Sequence, residues 1–531
     1  MKRPHHIKTH MLMIPIIILS TLACLEEIHP AASGAVKPML GPEYTCPNCS
    51  PTSIPPQTAA LDAVKPMLGP EYTCPNCNLI IISFDTLRQD RLSHYGYPRK
   101  TTPNIDAFSE EGLDFIKAYS PAPSTLLAHA SLFTSLYPTV HNADVTLNSS
   151  LSEKLNTLAE ILRQSGYRTV SFNGGVQLLP IWNLDQGFEK YVSKDRSFKD
   201  NFAASLSWLV RNNGSRFFLF VHGYDIHAPY VHPGSFYLQV NPNFSLSTYS
   251  STYSEVADRC FNQITNNSCT QSAINSLDKE RGEAIREVRD DIENCHIRDK
   301  PLATTKCNLT RIVALYDDGV YYSDNHFGVF LDGLREMGLY NNTVIIVMAD
   351  HGEEFSEHGT VANHGHTLYN ELLRVPLIVR VPDAAPNEIS EPVSTIDVMP
   401  TILSILHVPT DGLMQGVDLT KNSHHGDIFS EFRYSRAGKK MLISGDMKVI
   451  VTYDSGNAST GVETYNLTQD PLERNPIKET NETKPLIDSL LAKLENQILV
   501  DEETKHTLYS TNPRVEIDEE TKKQLQSLGY M

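Results

Sequence analysis

The 531-residue sequence predicts an α/β protein, with one large domain built on a buried sheet and a smaller α+β subdomain after it. Apolar, β-branched runs that end in an acid or an imidazole recur before residue 424. Segments with a helical spacing of apolar residues separate them, as expected for strands that alternate with helices. From residue 425 the pattern changes to successive short strands followed by helices. A chain of this length can bury a core in each part.

The strand that organises the large domain is predicted within residues 78–92, NLIIISFDTLRQDRL. Its run from Leu79 to Ile82 is typical of a central strand covered on both faces. Asp85 follows where the strand ends, and ligands gather at the carboxyl ends of strands in open α/β sheets. A single aspartate there more often caps a turn, so further evidence is needed.

Two later strands end in the same way. The stretch RFFLFVHGYDIHAPY predicts a buried strand followed by polar residues, namely His222, Asp225 and His227. The stretch NNTVIIVMADHGEEFSEHG predicts another, which ends in Asp350 and His351. Parallel strands meet at one edge of a sheet, so we expect these side chains to approach Asp85.

A hydroxyl group at the start of a helix is expected to lie near these strand-end side chains. Pro121 and Pro123 prevent a helix before Ser124, which is a good N-cap for the apolar segment TLLAHASLFTSLY. Thr125 then lies in the first helical turn, where backbone N–H groups and the helix dipole favour an anion.

These groups predict a site for one divalent cation. The predicted ligands are two carboxylates, one imidazole and one hydroxyl, from Asp85, Thr125, Asp350 and His351. This donor set suits manganese or zinc somewhat better than calcium, which stays possible. Such a cation lowers the pKa of a hydroxyl and neutralises an anionic ester.

Other histidines are candidates for acid–base catalysis or anion binding. We predict that His227 and His366, helped by His129, stabilise the oxyanion or protonate the leaving group. A structural role is equally plausible for three more imidazoles: His222, His358 and His364.

Composition and the N-terminus bear on location and partners. The net charge is -18 with a pI near 5.5, which makes nucleic acid an unexpected partner. Residues 1–23 resemble a lipoprotein-type signal peptide, with Cys24 as the lipidated residue, although ordinary cleavage is an alternative. We therefore expect export to the periplasm or cell envelope and a membrane-surface anchor through the N-terminal lipid. No feature predicts an oligomeric state.

Eight further cysteines fit an oxidising compartment. Residues 24–77 form a predicted linker that contains the segment AVKPMLGPEYTCPNC twice, and the CPNC pairs indicate disulfides in preference to zinc. Residues 232–305 read as an insertion within the large domain. Two disulfides are expected to hold it, formed by Cys260, Cys269, Cys295 and Cys307.

From residue 78 onward the chain resembles a sulfatase of the alkaline-phosphatase superfamily. The resemblance rests on motifs in family order, namely NLIIISFDTLRQDRL, TTPNIDAF, LFTSLYP, DIHAPY, ADHGEEFSEHG, HGHTLYNELLRVPLIV, STIDVMPTIL, QGVDL and ETYNLTQDPLERN. It implies an alkaline-phosphatase/sulfatase-like core with a large mixed sheet between helices. The catalytic domain would span residues 78–424 and the C-terminal subdomain residues 425–531.

The sequence departs from the family at the nucleophile. Sulfatases carry Cys/Ser-x-Pro/Ala-x-Arg, and the residue at the first position becomes formylglycine. Here the aligned stretch has Thr125, Leu127 and His129 at the three defined positions. Threonine cannot become formylglycine, because oxidation of its secondary alcohol would give a ketone. Thr86, His351 and His366 also differ from the usual Asp, Asn and Lys.

We therefore expect a metal-dependent hydrolase of sulfuric or phosphoric ester bonds in which Thr125 is the nucleophile. A phosphodiester or phosphonate ester is the favoured substrate, carried by a small molecule, glycan or lipid. One alternative is a true sulfatase that acts on sulfated glycans. Another is an inactive binding protein that keeps the sulfatase fold.

Overall fold

The structure, a computed structural model, describes residues 67–69, 72–193, 197–230, 290, 295, 308–421, 426–434, 437–508 and 515–527. The predicted signal peptide, the first CPNC pair and most of the predicted cysteine-containing insertion lie outside these residues. Among the described helices, none is long and apolar enough to cross a membrane.

The large domain alternates strands with helices, as predicted. Its elements are β1 (Asn78–Phe84), α1 (Pro103–Ser109), β2 (Leu113–Phe115), β3 (Ala118–Tyr119), α2 (Thr125–Thr134), α3 (Pro138–His141), α4 (Leu158–Gln164), β4 (Arg168–Asn173), β5 (Lys190–Ser193), α5 (Phe198–Asn212), β6 (Phe217–Gly223), α6 (Leu309–Glu336), β7 (Thr343–Ala349), β8 (Glu354–Phe355), β9 (Val361–Asn363), α7 (Asn370–Leu373), β10 (Arg374–Val375), β11 (Leu377–Arg380), β12 (Asn387–Ile389), β13 (Val393–Ser394) and α8 (Val398–Ile405).

An eight-stranded mixed sheet forms the centre of this domain, with the strand order β12-β2-β11-β7-β1-β6-β4-β5. Strand β1 lies between β6 and β7 and is parallel to both. Strand β11 pairs antiparallel with β7, which makes the sheet mixed. The predicted fold class, a large mixed sheet between helices, is confirmed.

Strand β1 is apolar throughout because both of its faces are covered. Leu79 and Ile81 belong to one hydrophobic cluster, which includes residues of α2 and α8. Ile80 and Ile82 belong to a second cluster on the other face, which includes residues of α5 and α6. All seven residues of the strand are buried, so the sheet is fixed between two helical layers.

The C-terminal part is a smaller α+β subdomain, again as predicted. Its elements are β14 (Asp427–Tyr434), β15 (Ala437–Ser444), β16 (Met447–Tyr453), β17 (Ser459–Asn466), α9 (Lys484–Leu508) and α10 (Glu519–Ser527). Strands β14–β17 form an antiparallel sheet in chain order. This sheet supports the segment before α2, because Glu431 N–H donates to Pro121 O and Ser430 Oγ donates to Ser120 O.

The described cysteines favour the disulfide interpretation. Cys74 and Cys77 form a disulfide, so the second CPNC pair is not a free zinc knuckle. Cys295 is also disulfide-bonded. The pairing predicted for the four insertion cysteines otherwise falls outside the described residues and stays a prediction.

Candidate active site

Strand register brings the predicted ligands to one edge of the sheet. Ser83 of β1 pairs with His222 of β6, and Phe84 pairs with Ala349 of β7. Asp85 and Asp350 are the residues that follow the last paired positions of β1 and β7. The two carboxylates therefore leave neighbouring parallel strands at the same level, as expected for strand-end ligands.

Asp85, His222 and Asp350 form a buried cluster in which one ligand atom from each lies within 4.8 Å of the others. Their side chains are essentially inaccessible to solvent. His222 Nε2 lies 3.4 Å from Asp85 Oδ2. His222 was not among the predicted metal ligands, because alternation along an apolar strand does not show which neighbour its side chain meets.

His351 and Thr125 lie next to this cluster. His351 Nε2 is 3.8 Å from Asp85 Oδ1 and 3.5 Å from Asp350 Oδ2. Thr125 Oγ1 lies 3.2 Å from the same nitrogen. Since His351 Nδ1 donates to Gly352 O at 2.9 Å, the ring orientation is fixed and Nε2 is directed to the site. The four predicted ligand residues are thus brought together.

The donor set fits a divalent cation. Among the described residues, Asp85 Oδ1 and Asp350 Oδ2 are buried and have no hydrogen-bond partner. Buried carboxylate oxygens are costly to leave unpaired, and a cation would satisfy both. Carboxylate oxygens combined with imidazole nitrogen suit manganese or zinc, and the oxygens also accept calcium.

The pKa shifts of the buried carboxyl and imidazole groups also favour a bound cation. Burial, together with the charge of Asp350, raises the pKa of Asp85 well above its usual value. Burial opposes ionisation of Asp350, yet the imidazoles of His351, His129 and His222 lower its pKa. Burial acts against a charged His351, but the two carboxylates raise its pKa. The carboxylates thus draw positive charge to the site, which a metal cation can supply in place of a proton.

The backbone at Thr86 is strained beside the cluster. Thr86 has a φ of 57°, which is unfavourable for a β-branched residue. Its N–H donates to Asp350 Oδ1 at 3.3 Å, and its carbonyl accepts from Tyr316 Oη at 2.7 Å. The turn after β1 is therefore held from two sides, and it directs Asp85 toward Asp350.

Thr125 is positioned by its own helix. It is the first residue of α2, as Ser124 and the prolines predicted. Leu126 N–H donates to Gln177 Oε1 at 2.8 Å. His129 Nδ1, one turn later, donates to Thr125 O at 2.8 Å, and its Nε2 lies 3.0 Å from Ser83 Oγ.

Both ring nitrogens of His129 therefore have a hydrogen-bond partner. Burial lowers its pKa to about 3, so it is neutral at ordinary pH. Its contacts join α2 to β1 and orient the residue that carries Thr125. This geometry supports a positioning role, and the predicted catalytic contribution of His129 stays a prediction.

His227 and His364 line the site beyond His351. The ring of His364 lies 4.4 Å from that of His351 and 5.0 Å from that of His227, between ring centroids. Burial, reinforced by His364, lowers the pKa of His227 to about 3. His364 Nδ1 is 2.9 Å from Glu353 Oε1, which fixes its ring. For His364 a structural and a functional role were equally plausible from the sequence, and the structure places its ring against His351, a predicted ligand.

His366 is the more accessible imidazole. Its Nε2 lies 2.8 Å from Glu354 Oε2 and 3.0 Å from Thr360 Oγ1. Its side chain is 26% exposed, so it can meet a substrate entering from solvent. Gly365 next to it packs close to Ser124, where an added Cβ would lie 3.9 Å from Ser124 Cβ. The segment that carries His366 therefore borders the start of α2.

Comparison with known solved structures shows the same fold. An enzyme solved with its substrate D-glucosamine-2-N,6-O-disulfate aligns with a TM-score of 0.63 at 19% identity, over 81% of this chain and 98% of that one. The phosphonate monoester hydrolase of Agrobacterium radiobacter aligns with a TM-score of 0.60 at 17% identity, over 80% and 96% of the two chains.

Comparison with curated proteins finds sulfatases. The uncharacterized sulfatase YidJ of Escherichia coli is 23% identical over 406 residues, 70% of this chain and 77% of that protein. Arylsulfatase K of Bos taurus is 24% identical over 415 residues, 70% and 72% of the two chains. The sulfatase family model matches residues 77–408, more than half of the sequence. The chain therefore belongs to the sulfatase family of ester hydrolases.

Proposed function

We propose that the protein is a metal-dependent ester hydrolase in which Thr125 is the nucleophile, and that it prefers phosphodiesters or phosphonate esters. The observation that carries the proposal is the position of Thr125 Oγ1, 3.2 Å from His351 Nε2 and beside two incompletely bonded carboxylates. A binding protein has no need of a hydroxyl group held in this way, which argues against an inactive sulfatase fold.

Asp85 and Asp350 would hold the cation, with His222 or His351 as the nitrogen ligand. When bound, the cation lowers the pKa of a nearby hydroxyl and offsets the negative charge of the ester. If His222 completes the set, as the 4.8 Å cluster favours, His351 Nε2 remains available to take the Thr125 proton. Metal content of His222→Ala and His351→Ala would distinguish the two ligand sets.

In the proposed reaction, Thr125 Oγ1 bonds to phosphorus and the bond to the leaving alcohol breaks. The alcohol oxygen takes a proton, for which His227 and His366 are the candidate donors. An anionic ester bound beside His227 raises the pKa of that imidazole, which burial otherwise depresses. Water then cleaves the threonine ester and restores the hydroxyl.

The ester preference follows from the chemistry of threonine. A formylglycine hydrate can release sulfate by returning to an aldehyde, and Thr125 has no second hydroxyl for that route. Its ester must be hydrolysed by water, a route well suited to phosphoryl groups. The structural likeness to a phosphonate monoester hydrolase is compatible with this preference.

Hydrolysis of sulfated glycans is the second candidate. The similar proteins favour it, including an endo-4-O-sulfatase of Bacteroides thetaiotaomicron that is 23% identical over 321 residues. Sulfate esters and phosphodiesters present similar anionic oxygens, so the cluster of Asp85, Asp350 and the imidazoles fits both.

An assay of purified protein on matched aryl phosphodiesters, phosphonates and sulfates, with and without a chelator, tests the proposal. We expect chelator-sensitive cleavage of the phosphorus esters and a loss of at least about a hundredfold in Thr125→Ala. Thr125→Ser, which keeps a hydroxyl, serves as the control and should retain more activity. Faster cleavage of the aryl sulfate would refute the ester preference, and full activity of Thr125→Ala would refute the nucleophile.

We also propose that the protein is exported and anchored through a lipid on Cys24. The support is the basic start, the apolar run and the Ala23–Cys24 junction. In a bacterial host, Cys24→Ser should move the protein from the membrane fraction to the soluble fraction. Unchanged fractionation and an N-terminal peptide without lipid would refute the anchor.

A further inference from the structure

A fourth strand ends at the same edge of the sheet as the strands that carry Asp85 and Asp350. Strand β4 lies parallel to β6, which in turn lies parallel to β1. The residues after β4 therefore leave the sheet on the side where the strand-end cluster forms. They include one turn of 3-10 helix, Val176–Leu178, whose middle residue is Gln177.

Gln177 caps the helix that carries the proposed nucleophile. Ser124, the residue before α2, makes no capping hydrogen bond through its side chain. Leu126 N–H, which no carbonyl of its own helix can accept, donates instead to Gln177 Oε1 at 2.8 Å. The amide oxygen must face this N–H, so the other end of the amide is the donor Nε2. A glutamine from a distant segment thus holds the turn that begins with Thr125.

The donor end of the same side chain has no partner. Gln177 is 3% exposed, and among the described residues its Nε2 is buried without a hydrogen bond. A buried N–H group that makes no hydrogen bond lowers the stability of the native state. It therefore indicates an acceptor that the polypeptide does not supply.

Gln415 shows the same arrangement where it serves the fold alone. Its Oε1 accepts from Tyr137 N–H at 2.8 Å, at the residue before α3. Its Nε2 donates to Asp501 Oδ1 at 2.6 Å, so both ends of the amide are paired. Each of the two glutamines holds the start of a helix, but of the pair only Gln177 has an unused donor.

The unused donor lies between two parts of the candidate active site. On one side is the first turn of α2, which carries Thr125. On the other side the backbone of Gly175 packs on the ring of Tyr224, where an added Cβ would lie 3.1 Å from Cε2. The Tyr224 ring stacks on that of His227 at 4.3 Å between centroids. Gln177, two residues after Gly175, therefore lies between the segments that carry the proposed nucleophile and a candidate proton donor.

We infer that Gln177 is a further catalytic residue, whose Nε2 donates a hydrogen bond to a non-bridging oxygen of the ester at Thr125. The inference rests on the proposed function, since it assumes that Thr125 attacks this ester. Negative charge builds on the non-bridging oxygens during the attack, and a donor that is fixed beforehand stabilises it. The bond from Leu126 N–H to Oε1 fixes the amide in this way.

Calorimetric titration of manganese-loaded protein with inorganic phosphate and inorganic sulfate tests the inference, together with the melting temperature and hydrolysis of an aryl phosphodiester. Gln177→Glu keeps an acceptor for Leu126 N–H at the helix N-terminus, so the melting temperature should be retained. It loses the donor, so anion affinity should fall about tenfold or more and the rate about a hundredfold or more. Gln177→Met, which is uncharged and of similar size, should also weaken anion binding about tenfold.

Gln415→Ala is the matched control, because it removes a helix-capping amide outside the strand-end cluster. It should lower the melting temperature and leave anion affinity and hydrolysis unchanged. Lys421→Ala, which removes an exposed lysine, should change none of the three measurements. Unchanged anion affinity in Gln177→Glu, or in a folded Gln177→Met, would overturn the inference. Absence of phosphate and sulfate binding by the wild-type protein would overturn it as well.

Two further outcomes are separated by the same measurements. If Gln177→Met does not fold, Gln177→Glu decides alone, because it keeps the cap of α2. Failure of the proposed function is seen as absent hydrolysis of aryl esters by the unsubstituted protein. Anion binding that depends on Gln177 without any hydrolysis would remove the proposed function and leave Gln177 as the anion donor.

Discussion

Two regions of the molecule bury charged groups in opposite ways. At the seam between the catalytic domain and the C-terminal subdomain, buried charges are closely paired. Lys448 Nζ lies 2.6 Å from Glu473 Oε1, and His358 Nδ1 lies 2.6 Å from Glu371 Oε1. At the ends of β1 and β7, imidazole nitrogens lie 3.4–3.8 Å from the carboxylates, and two described oxygens accept no hydrogen bond.

The difference separates residues that stabilise the fold from residues that could hold a metal ion. At the seam, folding itself brings the counter-charge to Lys448 and to His358, in the carboxylates of Glu473 and Glu371. At the strand ends, folding brings Asp85 and Asp350 together and leaves two of their oxygens without a hydrogen bond, which a bound cation would compensate. Functional sites often lower the stability of a protein in this way, and interactions in the rest of the structure compensate for the loss.

Breaking a seam pair should have the largest effect on stability. Lys448→Met would leave Glu473 buried and unpaired, so we expect the free energy of unfolding to fall by about 3–5 kcal/mol. Lys493→Met is the matched control, because Lys493 pairs with Asp427 at a site where its side chain is 46% exposed. Chemical denaturation should show a loss below about 1 kcal/mol for that control. Equal losses in the two variants would contradict the role given to burial.

Removal of a buried charge from the strand-end cluster should raise the free energy of unfolding, whereas removal of one from a seam pair should lower it. Asp85→Asn removes a carboxylate whose pKa is raised by burial and by Asp350. In chelator-treated protein we expect it to raise the free energy of unfolding by about 0.5–2 kcal/mol, while metal binding is lost. Glu431→Gln, which breaks the pair with Lys440, is the control and should destabilise the protein. A destabilised Asp85→Asn would show that the strand-end carboxylates already stabilise the fold.

Asp501 also lies at the seam, but the pKa of its carboxyl group is raised. Its replacement should change the stability of the protein by a smaller amount that depends on pH. Burial, followed by the charge of Glu431, raises its pKa to about 7. A carboxyl with a raised pKa stabilises the fold while protonated, and this contribution is lost as pH rises from about 4 through about 7. Asp501→Asn should therefore gain stability relative to wild type over that range, by less than about 1.4 kcal/mol per pH unit. If the curves of melting temperature against pH run parallel for Asp501→Asn and wild type, the raised pKa of Asp501 is refuted.

Much of the strand-end site could be predicted from local sequence. Asp85, Asp350 and His351 each follow an apolar strand, and Thr125 follows two prolines and an N-cap, so each has a signal within a few residues. The large mixed sheet and the smaller α+β subdomain follow from the order of such segments and from the family resemblance.

The remaining features depend on contacts between distant segments. His222 joins the cluster because β6 pairs with β1 in a register that puts it opposite Ser83. The pair of Lys448 and Glu473 links β16 to the turn after β17, and neither residue has a local signal for burial. The left-handed backbone of Thr86 is also invisible in sequence, since threonine does not favour it.

Calorimetric titration of chelator-treated protein with manganese, zinc and calcium tests the central claim most directly. The claim is that the strand-end cluster of Asp85, Asp350 and its neighbouring imidazoles holds one divalent cation. We predict one equivalent of cation bound per chain, with binding lost in Asp350→Ala and retained in Lys421→Ala. Full cation occupancy in Asp350→Ala, or no binding of any of the three cations by the wild-type protein, would contradict the claim.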